Sequence, residues 1–198
     1  MKLLVASRNA KKLKEMQRIL GPALPDLEVL GLDDVAPYDE VPESGATFAE
    51  NALIKAREGF AHTGLPTVAD DSGLTVQALN GMPGVLSARW AGRHGDDTAN
   101  LELVLAQLGD VPDERLAAAF RCAVAYVDGE RELITDGEMP GHLVREPRGE
   151  HGFGYDPIFV PRGYRQTSAE LAPGEKDAIS HRGQALRLLA DLLAKSGG

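Results

Sequence analysis

Leu3-Leu4-Val5-Ala6 is an uninterrupted apolar run of strand length, and within three residues it feeds a stretch with helical spacing. No other feature limits the fold as much. Such a run reads as a buried strand. A buried strand that turns through Ser7-Arg8-Asn9 into a helix needs helices layered on a sheet, which is the α/β class. Leu13, Met16, Ile19 and Leu20 set the helix from about Ala10 to Leu20, and Gly21-Pro22 reads as its end.

The rest of the chain extends this pattern. Leu24 to Glu43 is rich in Pro and Asp, with one strand near Glu28 to Leu30. Thr47-Phe48-Ala49-Glu50 reads as a capping box opening a helix that runs to about His62. Thr67 to Asp70 and Leu74 to Leu79 read as strand pieces flanking Asp71-Ser72-Gly73. Gly81 to Gly95 is a Gly-rich loop, and Asp97 to Leu108 has an apolar helical stripe. Ala118 to Val127 is a strand, Asp128-Gly129 a primed hairpin turn, and Glu130 to Thr135 the return, with a third strand over Gly137 to Glu146. A short strand follows at Ile158 to Val160, then a last helix from about Ser180 to Ala194. Lys195-Ser196-Gly197-Gly198 is expected to fray. Strand–turn–helix at the start and hairpins in the middle predict a mixed sheet rather than a uniformly doubly wound one. Residues 1–198 read as a single domain with no separable linker.

Composition excludes several classes. The net charge is −9, a poor match to nucleic acid, whose binding needs a basic footprint. No apolar run approaches the ~18 residues of a membrane span. The N-terminal apolar run is too short for a signal peptide, so a cytoplasmic location is expected. Cys122 is the only cysteine, so no intrachain disulfide forms; within an apolar strand it reads as a core thiol. His62, His94, His142 and His151 show no metal-ligand spacing. Trp90 lies in a loop, as a lid or interface residue.

Five segments are able to carry chemistry. Ser7 to Glu15 places a helix N-terminus beside Lys11, Lys12 and Lys14, where free N–H groups and the helix dipole favour phosphate. The other reading is a solvated basic face. Thr47, Asn51 and Lys55 recur every four residues and share a helix face, either a solvent-facing stripe or part of a site. Asp70-Asp71-Ser72-Gly73 sets two carboxylates side by side. These repel unless a cation or proton intervenes, and hard oxygen ligands suit Mg²⁺. An Asx-turn is the alternative. Gly152-Phe153-Gly154-Tyr155-Asp156 offers an aromatic ring for stacking on a base, or one that plugs the core. Lys176, His181 and Arg182 gather cations, with Ser180-His181-Arg182 at a helix start that calls for a compensating anion or acceptor.

Taken together, the segments resemble the inosine triphosphate pyrophosphatase family of non-standard purine nucleotide pyrophosphatases. Ser7-Arg8-Asn9-Ala10-Lys11-Lys12-Leu13-Lys14-Glu15 is similar to its Thr/Ser-Gly-Asn-x-x-Lys-x-x-Glu block, with Arg8 in place of glycine. Thr47 to Ala52 with Lys55-Ala56, Ala69 to Leu74, Gly152 to Pro157 and Ile179 to Gly183 resemble the remaining blocks, in order along nearly the whole chain. The Maf-like pyrophosphatases lack the Ser-His-Arg-Gly block, and a non-catalytic nucleotide-binding module has no need of Glu43, Asp71 and Lys12 together.

The resemblance implies two α/β lobes around a long mixed β-sheet with flanking helices, an active site in the cleft between the lobes, and a homodimer. It implies Mg²⁺-dependent hydrolysis of dITP, ITP and XTP to the monophosphate and pyrophosphate. Ser7, Arg8, Asn9, Ala10, Lys11 and Lys12 would hold phosphates, and Ser72 would contact substrate. Glu43 and Asp71 would carry the metal, with Asp71 accepting the water's proton and Lys12 and Lys55 neutralising phosphate charge. Phe153, Gly154, Tyr155, Asp156, Lys176, His181 and Arg182 would form the base and sugar end, with Arg182 or a backbone N–H as donor to O6 of the base.

Overall fold

A computed structural model describes residues 2–24, 26–39 and 41–196. Gly197 and Gly198, part of the end expected to fray, lie outside the described residues. The strands are β1 (Lys2–Val5), β2 (Glu28–Leu30), β3 (Thr67–Val76), β4 (Ala117–Val127), β5 (Glu132–Leu143) and β6 (Phe159–Pro161). The helices are α1 (Ala10–Ala23), α2 (Phe48–Thr63), α3 (Asp97–Gln107), α4 (Pro173–Ile179) and α5 (His181–Ser196). The six strands form one sheet in the order β2-β1-β3-β4-β5-β6. β1 pairs in parallel with β2 (Leu3 opposite Val29) and with β3 (Val5 opposite Val68). β5 and β6 are antiparallel, with His142 opposite Val160. The sheet is therefore mixed and flanked by helices, as expected.

The chain divides into two compact units. The first comprises Met1–Asp71, Cys122–Gly137 and Arg182–Gly198. Strand alternation sorts its core. Leu3, Val5, Val68, Val124 and Tyr126 face Met16 and Leu20 of α1 and Leu186 and Leu189 of α5. Ala6, Ala69, Ala123 and Ala125, one residue out of step, face Ala52 and Ala56 of α2. Small residues on both partners let α2 lie close to the strands. Thr47 caps α2 by accepting from Glu50 N at 3.2 Å, while Glu50 Oε2 accepts from Thr47 N, the reciprocal box expected there.

The second unit comprises Ser72–Arg121 and Glu138–His181. Its core joins Leu101 and Val104 of α3, and Leu108 just after it, to Leu74, Val76, Phe120, Met139, Leu143, Ile158 and Phe159.

Four local readings need correction. Asp71-Ser72-Gly73 is not a turn; it runs through the middle of β3. Gly73 is there because a Cβ would collide with the Gly84 carbonyl and Ser87 Oγ, and the next amide, Leu74 N, donates to that Ser87 Oγ at 2.9 Å. α1 continues to Ala23 with Pro22 inside its last turn, so the Gly21-Pro22 pair does not end the helix. β5 is one strand, Glu132–Leu143, rather than a return plus a third strand. Ahead of the last helix lies α4, which starts at Pro173 and is separated from α5 by Ser180 in extended backbone.

Candidate active site

Asp70 and Asp71 are consecutive in β3, so the pleat sends their side chains to opposite faces of the sheet. The repulsion feared from sequence is relieved by this separation, and each carboxylate meets a different helix set.

Asp70 faces α1 and α5. Its Oδ2 lies 3.0 Å from Lys12 Nζ and accepts from Arg182 Nε at 3.0 Å. The buried Cys122 thiol also points at Oδ2, at 3.8 Å. Arg182 Nη1 donates to Glu15 Oε2, closing a buried chain of alternating charge. Burial alone would push the Asp70 carboxyl up. The charges of Lys12, Arg182 and Lys55 outweigh it and hold the group well below the usual carboxylate range. Asp70 is thus a permanent anion. It is also the acceptor that compensates a cation at the start of α5, together with Glu15.

Asp71 faces α2. Its Oδ2 accepts from Asn51 Nδ2 at 2.9 Å, and the same Asn51 accepts from Gly45 N at 2.8 Å through Oδ1. One turn on, Lys55 Nζ donates to Glu43 Oε1 at 2.5 Å and to the Asp70 carbonyl at 2.6 Å. Of the Thr47–Asn51–Lys55 stripe, Asn51 and Lys55 therefore meet this carboxylate cluster, with Asn51 1% exposed, while Thr47 is exposed and serves as the helix cap. Burial raises the Asp71 pKa above the ordinary carboxylate value and the Glu43 charge adds to the rise, while Lys55 and the Asn51 hydrogen bond oppose it. Lys55 is shifted the other way from its burial: desolvation lowers its pKa, but Asp70, Glu43 and Asp71 together raise it. The ammonium stays charged. A raised, buried carboxylate beside a fixed cation is a group able to accept a proton.

Glu43 and Asp71 offer hard carboxylate oxygens, and the Glu43 charge opposes ionisation of Asp71. A divalent cation relieves that opposition, and Mg²⁺ commonly takes only one or two protein carboxylates and fills its sphere with water and phosphate. The donor set fits Mg²⁺.

At the start of α1, Ser7 Oγ accepts from Asn9 N at 3.2 Å, and Asn9 Oδ1 caps the helix by accepting from Lys11 N and Lys12 N. Arg8, Asn9, Ala10 and Lys11 are exposed there, with no acidic residue in the first turn. The turn holds its shape without glycine at position 8, because Asn9 Oδ1 fixes it.

The remaining candidates lie in the second unit, where Ser72 is half-buried. Asp156 Oδ2 accepts from Phe153 N at 2.9 Å and from Lys176 Nζ at 2.6 Å. Lys176 Nζ also stands 5.4 Å from the centroid of the half-buried Phe153 ring. A Cβ on Gly152 would run into the Asp156 carboxylate. Gly154 N donates to Asp97 Oδ2 at 2.8 Å. Tyr155 is buried and its hydroxyl donates to the Ser87 carbonyl at 2.8 Å, so its ring belongs to the core while Phe153 alone lies partly open. His181 is stacked on Phe120 with centroids 5.0 Å apart.

Asp97 is the residue of these clusters that the sequence does not single out as a candidate. Glu15, Asn51 and Asp70 stand within the quoted blocks, where neighbouring residues do not show the partners they meet.

The sequence profile described as the Ham1 family matches residues 3–192. The chain is 63% identical over 193 residues to a dITP/XTP pyrophosphatase of Mycolicibacterium paratuberculosis, covering 96% of this chain and 95% of the relative. It is 64% identical over 195 residues to a protein of the same name from Nocardia farcinica, covering 98% and 95%. A crystal structure of a nucleoside-triphosphatase / dITP/XTP pyrophosphatase from Mycobacterium abscessus superposes with a TM-score of 0.78 at 62% identity, over 96% of this chain and 98% of that one. The Ham1 protein of Staphylococcus aureus superposes at 0.88 with 36% identity, over 99% and 100%.

Proposed function

This chain belongs to the Ham1 family, and from that premise we infer that it hydrolyses non-standard purine nucleoside triphosphates (dITP, ITP, XTP) to the monophosphate and pyrophosphate, clearing them from the nucleotide pool. The observation that carries the chemistry is the division of labour between Asp70 and Asp71: one fixed as an anion by Lys12 and Arg182, the other raised in pKa on Asn51 beside Glu43 and Lys55.

Asp71 orients a water and takes its proton as the oxygen attacks the α-phosphorus; the bond to the pyrophosphate oxygen breaks and pyrophosphate leaves. Lys55 is held by Glu43 and the Asp70 carbonyl, so its charge is already placed for the oxygens that gain charge during attack. Lys12 shares Asp70 Oδ2 with Arg182, and incoming phosphate competes with that carboxylate for its ammonium. Arg8, Lys11 and the turn at Ser7, Asn9 and Ala10 supply further positive charge to the phosphates in an otherwise acidic chain. Mg²⁺, which Glu43 and Asp71 would hold, supplies charge neutralisation on the phosphoryl oxygens.

The base end is assigned to the loop from Phe153 to Asp156, with Lys176 and His181. The Phe153 ring is partly open and stiffened from beneath by Lys176 and Asp156. Arg182 enters this reading first as the buried brace of Asp70. Ser72, next to Asp71 in β3, contacts substrate. No helix among the described residues is long and apolar enough to cross a membrane. A cytoplasmic homodimer without a nucleic-acid partner is the form proposed, supported by the family resemblance and the acidic charge.

The test is pyrophosphate release from dITP, XTP and dGTP, with Mg²⁺ and with chelator. Release from dITP and XTP that is fast, metal-dependent and far slower with dGTP is expected. Equal rates on all three, or rates indifferent to chelator, contradict the base choice or the metal respectively.

A further inference from the structure

We propose that Asp97 is a positioning residue for the Phe153 ring, and through it for the purine; the proposal rests on the assignment of the base to this loop. Asp97 stands in the first turn of α3, 57 residues before Gly154, whose amide it accepts at 2.8 Å. It is not needed as the helix cap, because Asp96 already accepts from Ala99 N at 3.1 Å.

The neighbouring amide, Phe153 N, is taken by Asp156. Two consecutive main-chain donors are therefore spent on two carboxylates, one on each side of the ring-bearing residue. The loop needs both. Gly152 and Gly154 have φ of +74° and +62°, so the backbone around Phe153 carries little stiffness of its own. Asp156 is held by Lys176, and Asp97 is carried on the first turn of α3. With both amides engaged, the loop presents a ring face rather than an edge of backbone donors. The donor to O6 is then neither of these two amides. Removing the Asp97 acceptor frees Gly154 and lets the ring wander. That weakens binding of the ground state and the transition state alike, and it leaves the phosphate chemistry alone.

The experiment is pyrophosphate-release kinetics on dITP for Asp97→Ala, Asp97→Asn and Phe153→Ala, with hydrogen exchange of the 153–155 amides. Asp97 is exposed, so its two variants retain the core. Asp97→Ala is expected to raise KM about tenfold with kcat within about twofold, and to speed exchange at Gly154. Asp97→Asn keeps an acceptor oxygen and stays near wild type in both. An unchanged KM in Asp97→Ala, a loss confined to kcat, or unaltered exchange overturns the proposal. So do equal KM rises in the Ala and Asn variants, since charge and not the hydrogen bond would then act. Phe153→Ala separates the two levels. If it leaves KM unchanged, the base assignment itself fails; if it raises KM while Asp97→Ala does not, only the role of Asp97 fails.

Discussion

Asp70 and Asp71, joined by one peptide bond in β3, are directed to opposite faces of the sheet, and the same Lys55 ammonium that neutralises the Asp71 side takes the Asp70 carbonyl at 2.6 Å. The backbone between the two carboxylates is thereby tied to α2, while the Asp70 side chain is tied to α1 and α5. Structure on one face sets the geometry of chemistry on the other.

Asp70→Asn keeps the shape of the side chain and removes its charge. Arg182, 2% exposed, then loses the Asp70 charge and keeps its pairing with Glu15. Breaking a buried pair from one side costs about 3–5 kcal/mol. Denaturant unfolding of the variant is expected to show a loss in that range. A stability equal to wild type contradicts the role of Asp70 as the anchor.

Asn51→Ala removes the donor to Asp71 Oδ2 and the acceptor for Gly45 N. Groups that orient a reacting carboxylate are worth about 10–100-fold in activity. The fall is expected in kcat, with KM for dITP changed far less, because Asn51 reaches Asp71 and not the base. Steady-state kinetics with saturating Mg²⁺ distinguish the two.

The strand–turn–helix opening, the strand at Glu28–Leu30 and the capping box at Thr47 were legible because each is written in neighbouring residues. Asp71-Ser72-Gly73 misled for the same reason: locally, an acidic pair before glycine signals a turn. What makes Gly73 a strand residue is the approach of Gly84 and Ser87, which adjacent sequence does not show. Pro173, at the first position of α4, opens a short helix ahead of the last one. The candidate residues are picked out by type and order. Which of them meet is not written there, since Arg182 meets Asp70 across 112 residues and Glu15 across 167. Such pairings arise when α1 and α5 pack on one face of the sheet, and no periodicity encodes them.

Stability at low pH follows from the hairpin after β4. Burial opposes ionisation of Asp128, but its hydrogen bonds from Arg131, from Glu130 N and from the Tyr126 hydroxyl prevail and hold its pKa at about 2, below the 3.8 of an unperturbed aspartate. A lowered folded-state pKa stabilises the fold above the unfolded value and loses that contribution as pH falls toward about 2. The melting temperature of the wild type is expected to exceed that of Asp128→Asn by a constant margin at neutral pH. The margin should close between pH 3.8 and about 2. A margin independent of pH over that range contradicts the assignment.

The account turns on Asp71 as the proton acceptor, and the direct measurement is pyrophosphate release from dITP by Asp71→Asn, with the unfolding free energy of the same protein. Asp71→Asn is expected to fold with a stability near or above wild type, because it removes a buried charge that Glu43 opposes, and to lose at least about 10²-fold in kcat. Turnover within a few-fold of wild type by a folded Asp71→Asn protein contradicts the account.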